Sequence, residues 1–399
     1  MLRHPQYKVA THHQHPDGRI FSWLSFIAAI GNSIVFTILP LILFEKLQNE
    51  SLVGYYYSII AVVVLGASIY STLIFQKFSK VLIAKVALVI TIACLFALSF
   101  AQTLWQIGGL DIPRIICIIT FGVALSIFID DFTERKNLAK AEGRYYMFYN
   151  MGLVIGPIIG GYSAKYFGNQ SVFLFAGFFY ILVLAVFLYQ HIYQKNPHIV
   201  HGKHKEGIPE LFTNIKQFFV NKEFRKVFLV ALGLNYWWCV SVVYIPLEIK
   251  NLGYGENIVG WIVAASALPL VLMERFTGKF GDKRGVRTPV ILGFSILVLF
   301  LLGFPFLYSI PVVALLAFCL VNIGPSFIEP LQETYFFKVA KNNEREKFFG
   351  IYNSAQPLSS ILSPLIGGLL YAAAGSTGLW IGTGLFLSMF ILNGLRIKK

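Results

Sequence analysis

The chain has 399 residues and a formal net charge of +14; 56% of its residues are hydrophobic, 13% are charged, and 37 are Phe. So much apolar surface excludes an ordinary water-soluble domain. The positive charge is divided among many short gaps with no basic stripe set among exposed aromatics, so nucleic-acid binding is excluded as its reason and membrane orientation takes its place.

In chain order, a polar tail (residues 1–19) precedes the first apolar run. Its His12, His13 and His15 lack a carboxylate or Cys partner at structured spacing, so no metal site is expected there. Twelve runs follow, each near the ~20 residues that span a bilayer core as a helix. They are Ile20–Phe44, Leu52–Phe75, Val81–Phe100, Ile107–Ile129, Tyr145–Tyr162, Ser171–Tyr189, Val227–Ile249, Val259–Phe276, Pro289–Leu307, Pro311–Phe327, Phe348–Tyr371 and Thr377–Leu395. The first is too long for a signal h-region and lacks a small-residue cleavage site, so it is expected to be retained. Backbone polar groups cannot stay open in lipid, so each run is read as a helix. Cys94, Cys117, Cys239 and Cys319 all lie inside runs without a CxxC pair, which argues against a disulfide framework or zinc.

Charge fixes the expected orientation. Among the gaps on one side only Lys46, Lys165 and Lys250 occur, and Arg114 and Arg275 lie inside runs. The remaining Lys and Arg fall in the two tails and in the alternate gaps, with Lys85 just inside the start of the third run. Positively charged loops stay cytoplasmic, so both termini are expected inside.

The chain also echoes itself. Val53-Gly54-Tyr55 opens the second run and Val259-Gly260-Trp261 opens the eighth. The fifth run reads Tyr149-Asn150, Gly156-Pro157, Gly160-Gly161; the eleventh reads Tyr352-Asn353, Ser363-Pro364, Gly367-Gly368. This implies two six-helix bundles, 20–189 and 227–395, joined by a cytoplasmic central loop (190–226) and followed by a short tail (396–399). Within the loop, Leu211, Ile215, Phe218 and Phe219 share one face, the pattern of a short amphipathic helix lying along the membrane surface.

Three motifs carry a resemblance to the major facilitator superfamily (MFS) of secondary transporters. Gly278-Lys-Phe-Gly-Asp282-Lys-Arg284-Gly285-Val-Arg287 resembles the family's loop signature. Gly285 permits a tight turn, and the resemblance implies that Asp282 faces the fifth helix and gates one closed state. The matching first-half loop, Gln76-Lys77-Phe78-Ser79-Lys80, has no acid. Gly152-x-x-x-Gly156-Pro157-x-x-Gly160-Gly161 is a close-packing groove with a bend. It is similar to the pattern of the family's exporters, chiefly drug–proton antiporters. Leu110-Asp111-Ile-Pro113-Arg114 matches the place of an Arg that the family associates with proton handling. Asp111 and Arg114 share a helix face, so mutual neutralisation is the equal alternative.

The resemblance implies an all-α integral membrane protein of two pseudo-symmetric bundles that rock about a midplane cavity, monomeric and without cofactor. No acid lies mid-span in the first, fifth or seventh run, so coupling to protons would rest on Asp111 with Arg114, Glu274, Glu329 or Glu333. A cavity wall is expected from Asn32, Asn235, Tyr236, Trp237 and Asn322, aromatic faces and amides suited to an apolar or amphipathic molecule. The expected function is export of a small organic solute, with protons as counter-ion. An importer or facilitator of a sugar or metabolite, and a non-transporting sensor on the same fold, are the competing readings. An enzyme is disfavoured, since no His, Asp or Cys cluster meets at one face, and no phosphate-binding glycine loop appears.

Overall fold

The structure is a computed structural model. It describes residues 19–133, 138–189 and 208–397, leaving aside the side chains at 67–77, 130–132, 138–143, 208–212, 274–275, 278–279, 282, 342–343 and 346. The histidine-bearing tail and residues 190–207 of the central loop lie outside the described residues.

Every described element is a helix, as lipid requires of a spanning backbone. The first half holds α1 (Arg19–Leu47), α2 (Glu50–Lys77), α3 (Lys80–Leu98), α4 (Leu104–Phe132), α5 (Leu138–Phe167) and α6 (Ser171–Tyr189). A short α7 (Ile208–Val220) leads into the second half. That half comprises α8 (Lys222–Asn251), α9 (Glu256–Ser266), α10 (Leu268–Arg284), α11 (Arg287–Leu307), α12 (Pro311–Leu320), α13 (Ile323–Ser326), α14 (Glu329–Val339), α15 (Asn342–Asn353) and α16 (Ala355–Leu395).

Among the described residues, nine helical stretches are long and apolar enough to cross a membrane. Helix α2, helix α5 and a reversal inside α16 supply the other three crossings. Helix α5 mixes Tyr, Asn and Gly with charged ends, so average hydropathy passes over it. The reversal in α16 falls at Ala374 and Gly375, where Gly375 has φ 58°. Such a conformation is open to glycine and strained for other residues.

Two crossings are broken. The eighth run is α9 plus α10, interrupted at Ala267 beside Pro269. The tenth is α12, α13 and α14, interrupted at Asn322 and again at Phe327–Ile328. Pro325 and Pro330 each remove a ladder donor.

Within the first half, α1 packs on α5 and α6, and α3 on α4 and α6; within the second, α8 and α11 pack on α16, α11 on α13, and α9 on α12. The halves meet where α2 crosses α16, α5 crosses α9 and α1 touches α8. The end holding Arg19, Lys222 and Leu395 is called proximal here, and the opposite end distal. Asn393 Nδ2 donates to the Lys226 carbonyl at 3.1 Å, so the chain's last helix ends beside the start of α8. Lys46, Lys165 and Lys250 all fall in the last turns of helices at the distal end.

Helix α7 packs on α8 and α15 of the second half. Phe218 is fully buried, its ring 5.0 Å from Phe224, 6.2 Å from Phe228 and 5.6 Å from Phe348. The sequence placed this helix on the membrane surface. Its aromatic face has instead found an aromatic partner in the protein, while Phe219 and Val220 stay partly exposed. Phe218→Ala is expected to cost about 3–5 kcal/mol, the usual toll of deleting a buried ring. Phe219→Ala is expected to cost less than half of that. Thermal unfolding of the detergent-purified protein, followed by intrinsic fluorescence, checks both.

Candidate functional site

A cavity of ~300 Å³ lies between the halves. Its wall takes Phe36 and Thr37 from α1, Asn150 and Leu153 from α5, and Trp238, Ser241 and Ile245 from α8. The broken crossings close it with Ser266, Ala267 and Leu270 on one side and Asn322, Ser326, Glu329 and Pro330 on the other. Breaks in a spanning helix turn backbone and polar side chains inward, which lipid-facing segments cannot do.

One amide organises the breaks. Trp237 Nε1 donates to Asn322 Oδ1 at 2.9 Å, and Asn322 Nδ2 donates to the Ser266 carbonyl at 2.9 Å. Asn322 is 3% exposed and both ends of its amide are satisfied. It therefore ties α8 to the interruptions of the eighth and tenth crossings. Next along α8, Trp238 Nε1 donates to Glu329 Oε2 at 3.0 Å. Gln332 Nε2 stands 3.5 Å from the other oxygen of Glu329. Among the described residues, Glu329 is the one acid on the cavity wall.

The expected cavity residues divide accordingly. Asn322 is on the wall. Trp238 is there in place of Trp237, because adjacent helical residues point about 100° apart and Trp237 turns to Asn322. Tyr236 is buried in the second half with its ring 4.6 Å from Phe386. Asn235 bonds back to the Ala231 carbonyl at 2.8 Å, and Asn32 hydrogen-bonds Tyr149 inside the first half. These four are not on the wall.

Asp111 and Arg114 form a buried pair in α4. Arg114 Nε donates to Asp111 Oδ1 at 2.8 Å and its Nη2 lies 2.6 Å from the same oxygen. Tyr56 of α2 adds a hydroxyl 3.4 Å from Asp111 Oδ2. Asp111 and Arg114 are 1% and 3% exposed, and neither touches the cavity wall. Glu333 is exposed on α14. Glu274 and Asp282 sit on α10, with their side chains outside the described residues.

The loop after α10 turns at Gly285, with φ 73°. Helix α10 runs on through Gly278 and Asp282 to Arg284, so Asp282 occupies a last helical turn, with Arg284 exposed beside it. Helix α11 starts at Arg287, and its cap residue Val286 contributes no side-chain hydrogen bond.

The fifth-helix motif serves two contacts. Gly152, Gly156 and Gly160 face α1; a Cβ on Gly156 would fall on Ser33 Oγ, and one on Gly160 would come within 2.9 Å of the Ile34 carbonyl. Ser33 Oγ donates to the Gly152 carbonyl at 3.1 Å. Pro157 and Gly161 face α9 in the other half. The Pro157 carbonyl lies against Gly260, and a Cβ on Gly161 would meet the Glu256 carbonyl at 2.5 Å. The α2–α16 crossing repeats this. A Cβ on Gly54 would meet the Pro364 carbonyl at 2.5 Å, and one on Gly368 the Ser51 carbonyl at 2.9 Å. The internal echo in the sequence is thus a pair of matched crossings, each a glycine on a proline carbonyl. Both lie toward the distal end. The hydrogen bonds that join the halves among the described residues lie there too: Asn251 Nδ2 to Glu50 at 3.0 Å, Tyr371 to Glu50 at 3.2 Å, and Trp261 to Tyr162 at 3.3 Å.

Glu248 lies near the distal end of α8. It is 2% exposed. Tyr308 donates to its Oε2 at 2.5 Å and Ser376 at 2.6 Å. Those partners stand far off in sequence, and no local pattern announces them.

Two halves with a matched seam and a midplane cavity built on broken helices define a membrane transporter, an integral multi-pass protein rather than an enzyme. The sequence profile of the Major Facilitator Superfamily matches residues 21–255 and 227–397, and the chain belongs to that family. It is 25% identical over 359 residues to Multidrug resistance protein 1 of Bacillus subtilis, covering 87% of each chain. It is 22% identical to the class H tetracycline resistance protein of Pasteurella multocida, covering 93% of each. Among solved structures, the nucleoside transporter NupG superposes with a TM-score of 0.75 at 12% identity, over 96% of this chain and 99% of that one. A bacterial homologue of the human lysosomal transporter Spinster, inward-facing and unoccupied, gives 0.74 at 13% identity, over 95% and 96%.

Gly260→Ala is expected to wedge the distal seam, because its new methyl lands on the Pro157 carbonyl. A Ser51→Cys thiol, at a position 5% exposed, reports the result. Its reaction with a membrane-impermeant maleimide should quicken about tenfold for each ~1.4 kcal/mol by which the seam is weakened.

Proposed function

We propose that this transporter exports a small, amphipathic, positively charged organic solute in exchange for protons, working as a monomer. One observation carries the substrate class: among the described residues Glu329 is the one acid on a wall that otherwise mixes apolar side chains with neutral hydroxyls and amides, and Trp238 donates to its carboxylate. A carboxylate beside an indole face recruits a bulky cation by charge and by its ring quadrupole. Export is supported by the drug- and tetracycline-resistance names of the relatives and by the fifth-helix motif that packs the distal seam. The proximal face, which carries most of the Lys and Arg, is assigned to the cytoplasm. In the closed-seam state the solute would load from that side, and opening the seam would release it distally.

Asp111 and Arg114 fit the neutralisation reading best, since Arg114 closes on one oxygen of Asp111 in a buried ion pair away from the cavity. Gly278, Asp282, Arg284, Gly285 and Arg287 are assigned to the proximal gate by the family's loop pattern. Glu274 and Glu333 keep only their proximal position as support.

Everted vesicles loaded by a pH gradient are expected to accumulate tetraphenylphosphonium, and to stop when a protonophore collapses the gradient. Flux of the opposite sense, or of neutral sugars alone, contradicts the proposal. Glu329→Gln is expected to weaken binding of that cation about tenfold, ~1.4 kcal/mol for a partly screened charge contact. Equilibrium binding to the purified variant measures it. Arg114→Ala strands a buried carboxylate and is expected to cost about 3–5 kcal/mol of stability. Asp111→Asn/Arg114→Gln together should recover much of it, and paired melting curves test this.

A further inference from the structure

We infer that Glu248 is a proton-binding site whose access is governed by the distal seam. The carboxyl is buried in α8, outside the cavity, and belongs to no ion pair among the described residues. An ionisable group inside the membrane without a counter-charge is costly and marks function more often than packing.

The hydrogen bonds leave room for one proton at one atom. Trp380 Nε1 donates to the Tyr308 oxygen at 2.5 Å. The Tyr308 hydrogen is thereby committed outward, to Glu248 Oε2 at 2.5 Å, and Ser376 donates to the same oxygen at 2.6 Å. Oε1 is buried and has no hydrogen-bond partner. A carboxyl group has one donor position, and here only Oε1 can hold it. Protonation forms the O–H bond on Oε1, while Oε2 keeps both hydroxyl donors as the carbonyl oxygen. An alkali cation finds no such fit: the indole N–H is a donor only, and both hydroxyl hydrogens already point at the carboxylate.

Every group near the site bears on its access. Glu50 of α2 is the charged group from the other half that acts on the carboxyl, and the Tyr371 hydroxyl of α16 faces both Glu50 and Glu248. Lys250, two residues further along α8, is taken up by an ion pair with Glu256 of α9. Tyr371 donates to Glu50 at 3.2 Å, and its ring stacks on Tyr244 at 6.2 Å. Tyr244 in turn donates to the Pro364 carbonyl at 3.0 Å, the carbonyl that lies on Gly54. The groups that seal the halves therefore also cover the carboxyl. When the seam parts, Glu50 leaves with the first half, Tyr371 loses its partner, and Oε1 meets distal water. When the seam closes, the proton is trapped. The inference deepens the export reading by naming the carboxyl that takes the counter-ion, and it rests on that reading for its role in transport.

Infrared difference spectra of the full-length protein in lipid, between acid and alkaline buffer, provide the test. The expected result is a protonated-carboxyl stretch that vanishes in Glu248→Gln. In Tyr308→Phe the same band should move to higher wavenumber, because its carbonyl loses a donor. Replacing sodium by choline should leave the band in place. In proteoliposomes, Glu248→Gln should lose pH-driven accumulation of tetraphenylphosphonium. A spectrum unchanged in both variants, a band that follows sodium, or a Glu248→Gln protein that still accumulates the cation against a gradient overturns the inference. If the parent protein moves no tetraphenylphosphonium at all, the export reading fails, and the infrared band still decides whether Glu248 binds a proton.

Discussion

In a bilayer the apolar surfaces of two helices gain nothing by leaving lipid for each other, so association depends on how closely the backbones approach. This chain meets that constraint by laying bare glycine on a carbonyl. Gly260 rests on Pro157 and Gly54 on Pro364, one crossing from each half of the internal repeat. These backbone contacts are short, so they have little tolerance for partial separation. A seam of this kind is either shut or parted. That two-state character is what a molecule opening alternately to two sides requires.

The cavity follows from the same scarcity of options. Polar groups inside the membrane must be paired, and the chain pairs them at the points where its helices break. Asn322 is the clearest case, using both ends of its amide to hold the two interrupted crossings beside Trp237. The wall it stabilises mixes apolar side chains with neutral polar ones, and among the described residues Glu329 is its one acid. In a low-dielectric pocket one charge counts for far more than it would in water. Selectivity by charge, with little selectivity by shape, is the natural property of such a wall.

Much of this was legible in the residues. Run lengths gave the crossings, the scarcity of Lys and Arg in alternate gaps gave two faces, and the echo of Gly54-Tyr55 in Gly260-Trp261 gave the repeat. The i, i+3 spacing of Asp111 and Arg114 foretold their pairing. Other features were hidden for physical reasons. Proline and glycine in the eighth and tenth runs signal irregularity, yet each run still reads as one apolar stretch, so the breaks at Ala267 and Asn322 surface only in the fold. Trp237 and Trp238 are chemically alike, and which one faces the cavity depends on the phase of α8, set by packing elsewhere. Glu248 stands out in no local pattern, because Tyr308, Ser376 and Trp380, the groups around it, arrive from α16 and the end of α11. For Phe218 the amphipathic pattern was correct, and only its partner was misassigned, since an aromatic face suits lipid and protein equally.

The docking of α7 has a mechanical corollary. With Phe218 locked among Phe224, Phe228 and Phe348, this part of the linker travels as cargo of the second bundle. Tilting one bundle against the other need not pull those rings from their pocket, so the tether adds no spring to the motion. The free energy that separates the two orientations then resides in the seam and in whatever ligands are bound, leaving the hinge itself nearly silent.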